Sequence, residues 1–470
     1  MKYRRLAVVP VGLGAVYLFD RHYCFSVGTR SARTLAACSY LIYQYKLIWT
    51  PDNACEVHSR VARKIADTCL ANEGLYVKFG QILSSMAFAL PIEYDAPLSE
   101  LHDQAKTFEI EQVLRIIDSQ IPDVELKDFE TLPVASASLA QVHKAVHAPT
   151  GKMVAVKIQK PNVAVQAWWD LQVYWLIINA LEWAFDLPIK WTFDFTKSQL
   201  LGELDFRAEA YHSEKAKTEF AESKLNDKIY VPEVLASSQR VLVTEWIADA
   251  VKITDKEGMR KLGIDPVSAV NDAISAFAFQ VFHTGHVHCD PHPGNLLVRR
   301  NTQNGHQIVL IDHGLYVDLD AELRQDYAKL WISMIPPIDR ETMRNVCSKW
   351  GIRDFDLYAS ITAFKPSINR MIHDKQSTQR ETNEYQSKAK DRLINALSDT
   401  SKFPRPLLFV GRSQNYIRAA NWAHGNPVDR VAVMIQYARE SLPKDNSLKD
   451  TYLTYLPFFL RWVISPFIRN

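Results

Sequence analysis

The chain has 470 residues, of which 47% are hydrophobic and 23% charged, with 55 basic against 53 acidic side chains. This composition is typical of a folded protein and excludes a disordered one, and the length predicts two or more lobes or domains. The near balance of charge argues against a nucleic-acid-binding protein, which normally carries a strongly basic domain. The six cysteines form no C-x-x-C pair, so we predict reduced thiols in a core, with no disulfide framework and no disulfide-linked partner.

The first 50 residues are basic and contain a single acidic residue, Asp20. Three basic residues among the first five precede an apolar run from Leu6 to Phe19, a pattern typical of organelle targeting, with the mitochondrion as the leading choice. The run has 14 residues and is short for a membrane span, which needs about 20. A cleaved signal, a short membrane anchor and a plain buried helix all stay open for this segment.

Apolar residues at helical spacing predict three helices in residues 51–125. The first runs from Val57 to Glu73, where Glu73-Gly74 breaks the pattern. The second helix follows from Leu75 to Met86, and the third runs from Phe108 to Ile116.

The hydrophobic pattern changes to that of strands after residue 130. Runs from Val142 to Val146 and from Met153 to Ile158 flank a Pro/Gly turn and predict a hairpin. Two more strands are predicted at Val231–Val234 and Arg240–Glu245, and helical patterns dominate the rest of the chain.

Aromatic residues are concentrated in two later segments. Residues 164–200 hold five tryptophans and could face a membrane, but acidic residues interrupt the apolar run, so we favour a helix packed on the body of the protein. The segment from Tyr452 to Ile468 is interrupted by two prolines and is predicted either to rest on a membrane surface or to pack on the body. The five tryptophans are Trp168, Trp169, Trp175, Trp183 and Trp191.

This order of elements is the plan of a two-lobed kinase. The predicted fold class is α+β, a bilobal protein-kinase-like fold with a small strand-rich N-lobe, a larger helical C-lobe and an N-terminal helical extension. The predicted segments are a targeting or membrane-anchor segment (1–50), a helical extension (51–125), an N-lobe with a helical insert (126–250), a C-lobe (251–400) and a C-terminal helical tail (401–470).

The strongest chemical signal is the string His288-Cys289-Asp290-Pro291-His292-Pro293-Gly294-Asn295. Kinase catalytic loops place an Asp and an Asn at this separation, the Asp near the attacking group and the Asn on a metal ion. A strand-like run then leads to Asp312-His313-Gly314, the form in which kinases present the second magnesium ligand, with histidine in place of the usual phenylalanine. We therefore predict that Asp290 is catalytic and that Asn295 and Asp312 bind Mg²⁺.

A zinc site is the alternative for the same loop. It leaves Asn295 and Asp312 unexplained, so we disfavour it, and we predict that His143 and His292 are structural imidazoles. The side chains that a zinc site would use are His286, His288, Asp290 and His292.

Lys157 closes the string Val154-Ala155-Val156-Lys157, which matches the strand lysine that pairs with the α- and β-phosphates of ATP in kinases. We predict that Lys157 acts in catalysis and that Glu209 is its helix partner. Glu203 and Asp205 are the nearby acids on the same segment.

The predicted nucleotide loop is unusual. Residues 135–142 keep the spacing of the kinase G-x-G-x-x-G-x-V loop, with alanine in all three glycine positions. Because alanine avoids positive φ, this loop must follow a different backbone path and cradle phosphates differently. The predicted nucleotide-binding residues are Ala135, Ala137, Ser138, Ala140, Lys157, Glu245 and Ile247.

At these motifs the chain resembles the UbiB family of atypical kinases, also called the aarF-domain-containing or ADCK family, over roughly residues 55–420. Lys78-Phe79-Gly80-Gln81 is similar to the family's K-x-G-Q motif, residues 135–140 to its alanine-rich loop, and Glu203-Leu204-Asp205 to its E-x-D motif. The strings at 288–295 and 312–314 resemble its catalytic and metal loops. Within the family, the chain is most similar to an animal mitochondrial type.

The resemblance implies that the K-x-G-Q helices form a lid over the site where an ordinary kinase binds a peptide. It implies an atypical kinase or ATPase that uses ATP and Mg²⁺ in mitochondrial lipid homeostasis and membrane (cristae) organisation, with mitochondrial membrane lipids or lipid-handling proteins as partners. A pseudokinase that binds nucleotide as a switch, or a scaffold without turnover, is the alternative. The lid residues implied are Lys78, Gly80, Gln81, Glu203 and Asp205.

Overall fold

A computed structural model describes most of the chain. The predicted targeting segment up to residue 18 and the aromatic tail from Tyr452 to Ile468 lie outside the described residues. The described ranges are 19–21, 24–85, 90–102, 107–186, 189–301, 305–335, 338–363 and 402–443.

The chain divides into two compact units. The first consists of Met1–Ala208 and Val234–Trp246, and the second of Glu209–Glu233 and Ile247–Asn470. The five segment boundaries predicted from the sequence stay predictions.

Helices make up the N-terminal part of the first unit. They form where apolar residues recur every three to four positions, so that one stripe is buried, as with Val57, Val61 and Leu98 in one shared core. The second of them ends where Glu73 and Gly74 take positive φ values of 57° and 55°, which reverses the chain. The helices are α1 (Val27–Tyr43), followed by a π-helical turn (Gln44–Ile48), α2 (Ala54–Asn72), α3 (Leu75–Ser85), α4 (Asp95–Ser99) and α5 (Ile110–Gln120).

The first unit also contains an antiparallel sheet of six strands in the order β1-β3-β4-β7-β6, and β2 pairs with the first half of β3. Its central hairpin is confirmed, and it turns at Gly151, whose φ is +67°. The strand predicted at Val231–Val234 is wrong by several residues, because the sheet strand begins at Val234. The strands are β1 (Leu126–Lys127), β2 (Ala135–Ser136), β3 (Ala140–His147), β4 (Met153–Gln159), β6 (Val234–Ser237) and β7 (Val241–Glu245).

Three helices follow β4: α6 (Val163–Phe185), α7 (Trp191–Gly202) and α8 (Phe206–Ala221), of which α8 begins in the first unit and continues in the second. As predicted, α6 packs on the body, through α1 and α3. Four of the five tryptophans of residues 164–200 are nevertheless exposed, and the side chain of Trp191, on α7, lies outside the described ones.

The second unit is mainly helical, with its core around Trp331, Leu330 and Ile274, which are fully buried. It also holds a four-stranded sheet in the order β5-β11-β10-β8 and a two-stranded one of β9 and β12. The strands are β5 (Ile229–Tyr230), β8 (Ala250–Lys252), β9 (His286–His288), β10 (Leu296–Asn301), β11 (Gly305–Leu310) and β12 (Tyr316–Asp318). The helices after α8 are α9 (Lys256–Lys261), α10 (Pro266–Phe279), α11 (Ala321–Ser333), α12 (Arg340–Lys349), α13 (Phe355–Ala363), α14 (Pro406–Ala423) and α15 (Arg430–Ser441).

The cysteines are all free thiols, as predicted, and all six lie in the described ranges. Their predicted place in a core is right for Cys69, Cys289 and Cys347 and wrong for Cys24 and Cys55, which are exposed. Within the described ranges, no helix combines the length and the apolar character needed to cross a bilayer.

Candidate active site

The antiparallel register of β10 and β11 brings the two predicted magnesium ligands to one end of the same ladder. Leu296 pairs with Leu310, and the ladder continues one step further, where the Ile311 amide donates to the Asn295 carbonyl at 3.3 Å. Asp312 is the next residue, and one of its carboxylate oxygens accepts the Gly314 amide at 3.0 Å. Asn295 and Asp312, 17 positions apart in sequence, therefore start from neighbouring backbone positions.

His288 links the catalytic loop to the metal loop. Its Nδ1 accepts the backbone N–H of Asp290 at 3.0 Å, so the proton of a neutral ring is on Nε2, which donates to the Asp312 carbonyl at 2.6 Å. Burial lowers the pKa of His288 and favours this neutral form. One buried imidazole therefore fixes the backbone of both Asp290 and Asp312, which is not the role of a zinc ligand.

His313, which stands where kinases usually have phenylalanine, is also a buried structural residue. Its Nε2 donates to the Leu310 carbonyl at 3.1 Å, and its Nδ1 lies 2.8 Å from the hydroxyl of Tyr316. Both ring nitrogens are therefore used within the second unit, and the side chain holds the turn that follows Asp312. The structural role predicted for His143 is likewise confirmed by contacts to Gln141 and to the Glu130 carbonyl.

Asp290 has a buried cationic neighbour that the sequence prediction missed. A guanidinium nitrogen of Arg412, on α14, lies 3.2 Å from an Asp290 carboxylate oxygen, and both side chains are largely buried. The next residue, Ser413, donates to the His288 carbonyl at 3.1 Å. Helix α14 thus holds the catalytic loop at two points. The sequence held no local signal for this contact, because the buried side of α14 also carries polar residues such as Ser413 and Gln414.

Glu209 is buried in the second unit, close to the metal loop. A Cβ atom at Gly314 would lie 3.8 Å from an oxygen of Glu209 and 3.2 Å from an oxygen of Asp312. Two carboxylates therefore flank the glycine of the Asp-His-Gly string. Because Glu209 and Lys157 belong to different units, their pairing stays a prediction, and so does the role of Ile247.

Lys157 lies in the middle of the first unit's sheet. Its Cα is opposite Val142 on β3 and Leu242 on β7, and its ammonium lies 5.3 Å from the centre of the Phe206 ring. Glu245, also predicted to bind nucleotide, ends β7 opposite Val154. The sheet therefore presents Lys157 and Glu245 from adjacent strands of the same unit.

The alanine-rich loop is short and regular. Ala135 and Ser136 pair with β3, the Ala137 amide donates to the Ala140 carbonyl at 2.8 Å, and no residue from 135 to 140 has positive φ. This confirms the prediction that the loop follows a path suited to alanine. Ser138 and Ala140 are buried, whereas Ala135 and Ala137 are exposed. Leu139 is buried against Leu75 at the start of α3 and against α6.

The structure brings together only some of the predicted lid residues. The Lys78 ammonium lies 2.8 Å from a carboxylate oxygen of Glu203, with both side chains mostly buried. Gln81 instead donates to the Leu101 carbonyl at 3.0 Å. Asp205 is paired with Arg207 at 2.6 Å, and this hydrogen bond holds the pKa of its carboxyl below the usual value. The K-x-G-Q and E-x-D strings are thus joined through Lys78 and Glu203.

Gly80 is required by a close approach of side chains. A Cβ at this position would lie 2.2 Å from the Leu101 Cδ1 and 3.2 Å from the Cys69 sulfur. Glycine therefore allows α3 to pack directly against α2 and the segment around Leu101.

The donor set fits magnesium rather than zinc. Asn295 and Asp312 offer oxygen ligands, which hard divalent cations such as Mg²⁺ prefer. Among the residues that the structure describes, no three His, Cys, Asp or Glu side chains are grouped so that they could hold a metal ion. The disfavoured zinc cluster of His286, His288, Asp290 and His292 is therefore absent.

Comparison with known proteins gives one family. The model of the ABC1 atypical kinase-like domain matches residues 100–347. An ABC1 family protein of Schizosaccharomyces pombe is 36% identical over 93% of this chain and 83% of its own length. AarF domain-containing protein kinase 1 of Gallus gallus is 32% identical over 88% of this chain and 83% of its own length. A probable serine/threonine-protein kinase of Dictyostelium discoideum is 31% identical over 90% of this chain and 62% of its own length.

Among solved structures, a Mycobacterium tuberculosis protein in complex with erythromycin is 20% identical to the chain, with a TM-score of 0.47. The likeness covers 77% of this chain and 91% of that protein.

Proposed function

This chain belongs to the ABC1 family of atypical kinases, also called the UbiB or aarF-domain-containing family, and from that premise we propose that it is a Mg²⁺-dependent ATPase or kinase. The observation that carries the proposal is the arrangement of the second unit's loops. His288 fixes the backbones of Asp290 and Asp312, while the β10–β11 ladder places Asn295 beside Asp312. Aligning an acid with two oxygen ligands in this way is what phosphoryl transfer needs.

Each residue has a separate task in this proposal. Lys157 orients the α- and β-phosphates in this proposal, and Glu209 is proposed as the helix residue that pairs with Lys157. Asn295 and Asp312 would hold Mg²⁺, which supplies charge neutralisation at the phosphates. Asp290 orients the accepting hydroxyl or water, and Arg412 holds Asp290 in position. The protein's contribution is positioning and electrostatics, and no covalent intermediate is required.

The test is Mg²⁺-dependent ATP turnover of the purified full-length chain and of Asp312→Asn. We expect the substitution to lower turnover by about 100-fold or more, because it removes a metal-ligand charge. Asp227→Asn is the matched control, since Asp227 is exposed in the same unit. Equal rates for wild type and Asp312→Asn would contradict the assignment of Asp312.

A pseudokinase that binds nucleotide as a switch is the second candidate. It is favoured by the alanine-rich loop, in which the Leu139 side chain is buried in a core cluster with Leu75 and residues of α6. A rise in melting temperature with ATP, without release of phosphate, would select the switch over the enzyme. A scaffold that needs neither nucleotide binding nor turnover would show no rise in melting temperature with ATP.

We further propose that the chain acts in mitochondrial lipid homeostasis and membrane (cristae) organisation, with membrane lipids or lipid-handling proteins as partners. The basic, acid-poor first 50 residues support the mitochondrion, and so do relatives named AarF domain-containing protein kinase 1. Imaging and fractionation of the full-length chain test the location. Recovery outside mitochondria, or unchanged lipid composition and cristae after its loss, would contradict this part.

A further inference from the structure

One face of helix α6 is rich in exposed apolar and aromatic side chains, with Gln172 as an exposed polar residue among them. Its exposed large side chains recur at helical spacing along a single stripe, and Trp183 is 83% exposed. No exposed residue of α6 is charged. Its two acids are used elsewhere, because Asp170 is buried against Arg30 and Glu182 pairs with Lys190. The members of the stripe are Val165, Trp168, Trp169, Trp175, Leu176 and Trp183.

Helix α1 runs beside α6 in the same direction. Three contacts fix this arrangement: Gln166 with the carbonyl of Phe25 just before α1, Asp170 with Arg30 in the first turn of α1, and Phe185 with Tyr45 just after α1. Exposed residues of α1 are also uncharged, and its exposed side chains include Leu35 and Tyr43. Leu47 and Trp49 follow in the adjoining turn and segment, with Leu47 73% exposed. The two helices therefore each leave an apolar face without a partner in the described chain.

The chemistry of this face favours a lipid surface. Tryptophan is enriched at membrane–water interfaces because its ring is apolar while its N–H can stay hydrated. The stripe from Val165 to Trp183 is about 27 Å long at the helical rise of about 1.5 Å per residue. Since no described helix is apolar and long enough to cross a bilayer, such a helix would lie in the interface.

Charge around the face complements anionic lipid headgroups. Arg21, just before α1, and Lys46, just after it, are exposed cations, and the first 50 residues hold a single acid. That acid, Asp20, is buried and accepts hydrogen bonds from the start of α1. Lys46 is exposed at the far end of α1, where its ammonium lies 5.1 Å from the centre of the Phe185 ring. A cation at the edge of an apolar face is suited to reach headgroups while the rings enter the acyl boundary.

We propose that the exposed faces of α1 and α6 bind the protein to the surface of an anionic phospholipid bilayer. This inference rests on the part of the proposed function that names membrane lipids as partners, and it specifies the binding face, which contains none of the residues assigned to ATP or Mg²⁺. Docking would leave α6 parallel to the bilayer plane, with its tryptophans at the headgroup level.

The experiment is flotation of the full-length chain with vesicles of phosphatidylcholine and phosphatidylglycerol in equal amounts. Wild type should float with the vesicles, and the triple variant Trp168→Ser, Trp175→Ser, Trp183→Ser should bind with an apparent affinity lower by about tenfold or more. Lipids brominated on their acyl chains should quench the tryptophan fluorescence of wild type far more than that of the variant. Trp422→Ser is the matched control, because Trp422 is 73% exposed on α14 in the second unit, and it should bind like wild type.

Folding of the triple variant is checked by its thermal melting, which should match wild type because all three side chains are exposed. Binding by the variant equal to wild type, or no vesicle binding by wild type, would overturn the proposal. It would also be overturned if sedimentation shows wild-type dimers that the three substitutions dissociate, since the face would then bind a second copy. None of these readouts uses ATP turnover or the cellular location of the chain, so failure of this binding face is distinguishable from failure of the proposed nucleotide chemistry and of the proposed location.

Discussion

Lys78 and Glu203, which are 125 positions apart in sequence, form an ion pair of 2.8 Å within the first unit. Their side chains are 16% and 9% exposed, so water screens the pair only weakly. The pair connects α3 of the N-terminal extension to the segment just before α8. Two strings that the sequence shows as separate motifs are therefore one structural element.

Removing one partner of this pair should destabilise the first unit. Lys78→Met leaves the Glu203 carboxylate mostly buried without its cation, and we expect a loss of about 2 kcal/mol, less than for a fully buried pair. The double variant Lys78→Met, Glu203→Gln should recover part of that loss. Thermal and urea unfolding measure both.

The control for Lys78 is Glu56→Gln, which breaks an exposed pair with Arg60 in the same unit. It should change the free energy of unfolding by less than about 0.5 kcal/mol. If Lys78→Met behaves like this control and also leaves ATP affinity unchanged, the Lys78–Glu203 pair has no role in the lid.

Arg412 should affect turnover through Asp290. We expect Arg412→Lys to lower kcat by about 100-fold, because a misplaced catalytic carboxylate no longer aligns the accepting group. ATP affinity should stay within about twofold of wild type, since Arg412 holds the catalytic loop rather than the nucleotide. Steady-state kinetics and ATP binding separate the two effects.

Arg405→Lys is the matched change at an exposed position at the start of the same helix, and it should leave kcat unaltered. Full turnover by Arg412→Lys would show that the guanidinium is not needed to position Asp290. A parallel loss of ATP affinity and kcat would instead indicate a general disturbance of the second unit.

Gly80→Ala should destabilise the N-terminal extension by about 1–3 kcal/mol, because the new methyl group has no room beside Leu101 and Cys69. Leu101→Ala in the same chain would create space and should restore part of the packing around residue 80. Gly202→Ala is the control, since a Cβ there meets nothing within 4 Å. The measurement is the free energy of unfolding, and equal effects at positions 80 and 202 would contradict the close packing of α3.

Acid should weaken the second unit through His212. Its ring lies 5.0 Å from the rings of His286 and Tyr316, and burial together with the neighbouring His286 lowers the pKa of His212 to about 4. An unfolded histidine titrates near 6.5, so the unfolded chain binds more protons between about pH 4 and 6.5. Stability should therefore be complete above pH 6.5 and fall as the pH is lowered through this window.

His212→Gln should flatten that pH dependence, which melting temperatures measured from pH 4 to 7 would show. Some slope should remain, because burial also lowers the pKa of His286. His147→Gln, in the hairpin of the first unit, is the control and should retain the wild-type slope. An unchanged slope in His212→Gln would assign the acid sensitivity to other groups.

The sequence was sufficient for the family, the α+β kinase-like fold and the loops of the candidate site, because these depend on local strings and short periodicities. The strand at Val241–Glu245 and the hairpin that contains Lys157 follow directly from such patterns. The partner of Asp290 does not, because Arg412 lies 122 positions later and a single arginine in a helix has no local signature. Contacts of this range are set by packing of whole helices.

The exposure of the tryptophans of α6 is a second feature that the sequence pattern did not predict. Acidic residues in the run favoured burial against the body, whereas the structure buries the acid Asp170 with Arg30 and exposes the aromatic rings. Composition alone does not tell which stripe of a helix faces inward when both stripes are apolar.

Leu139 of the alanine-rich loop shares one core with Leu75 of α3 and with Val163 and Leu171 of α6. A fragment that begins at residue 126 would lack Leu75, and it would also lose Phe79 and Ile82, which pack against this core. Within this core, the alanine-rich loop would keep only its contacts with the segments that follow β4. The N-terminal extension is therefore part of the packing that supports the loop.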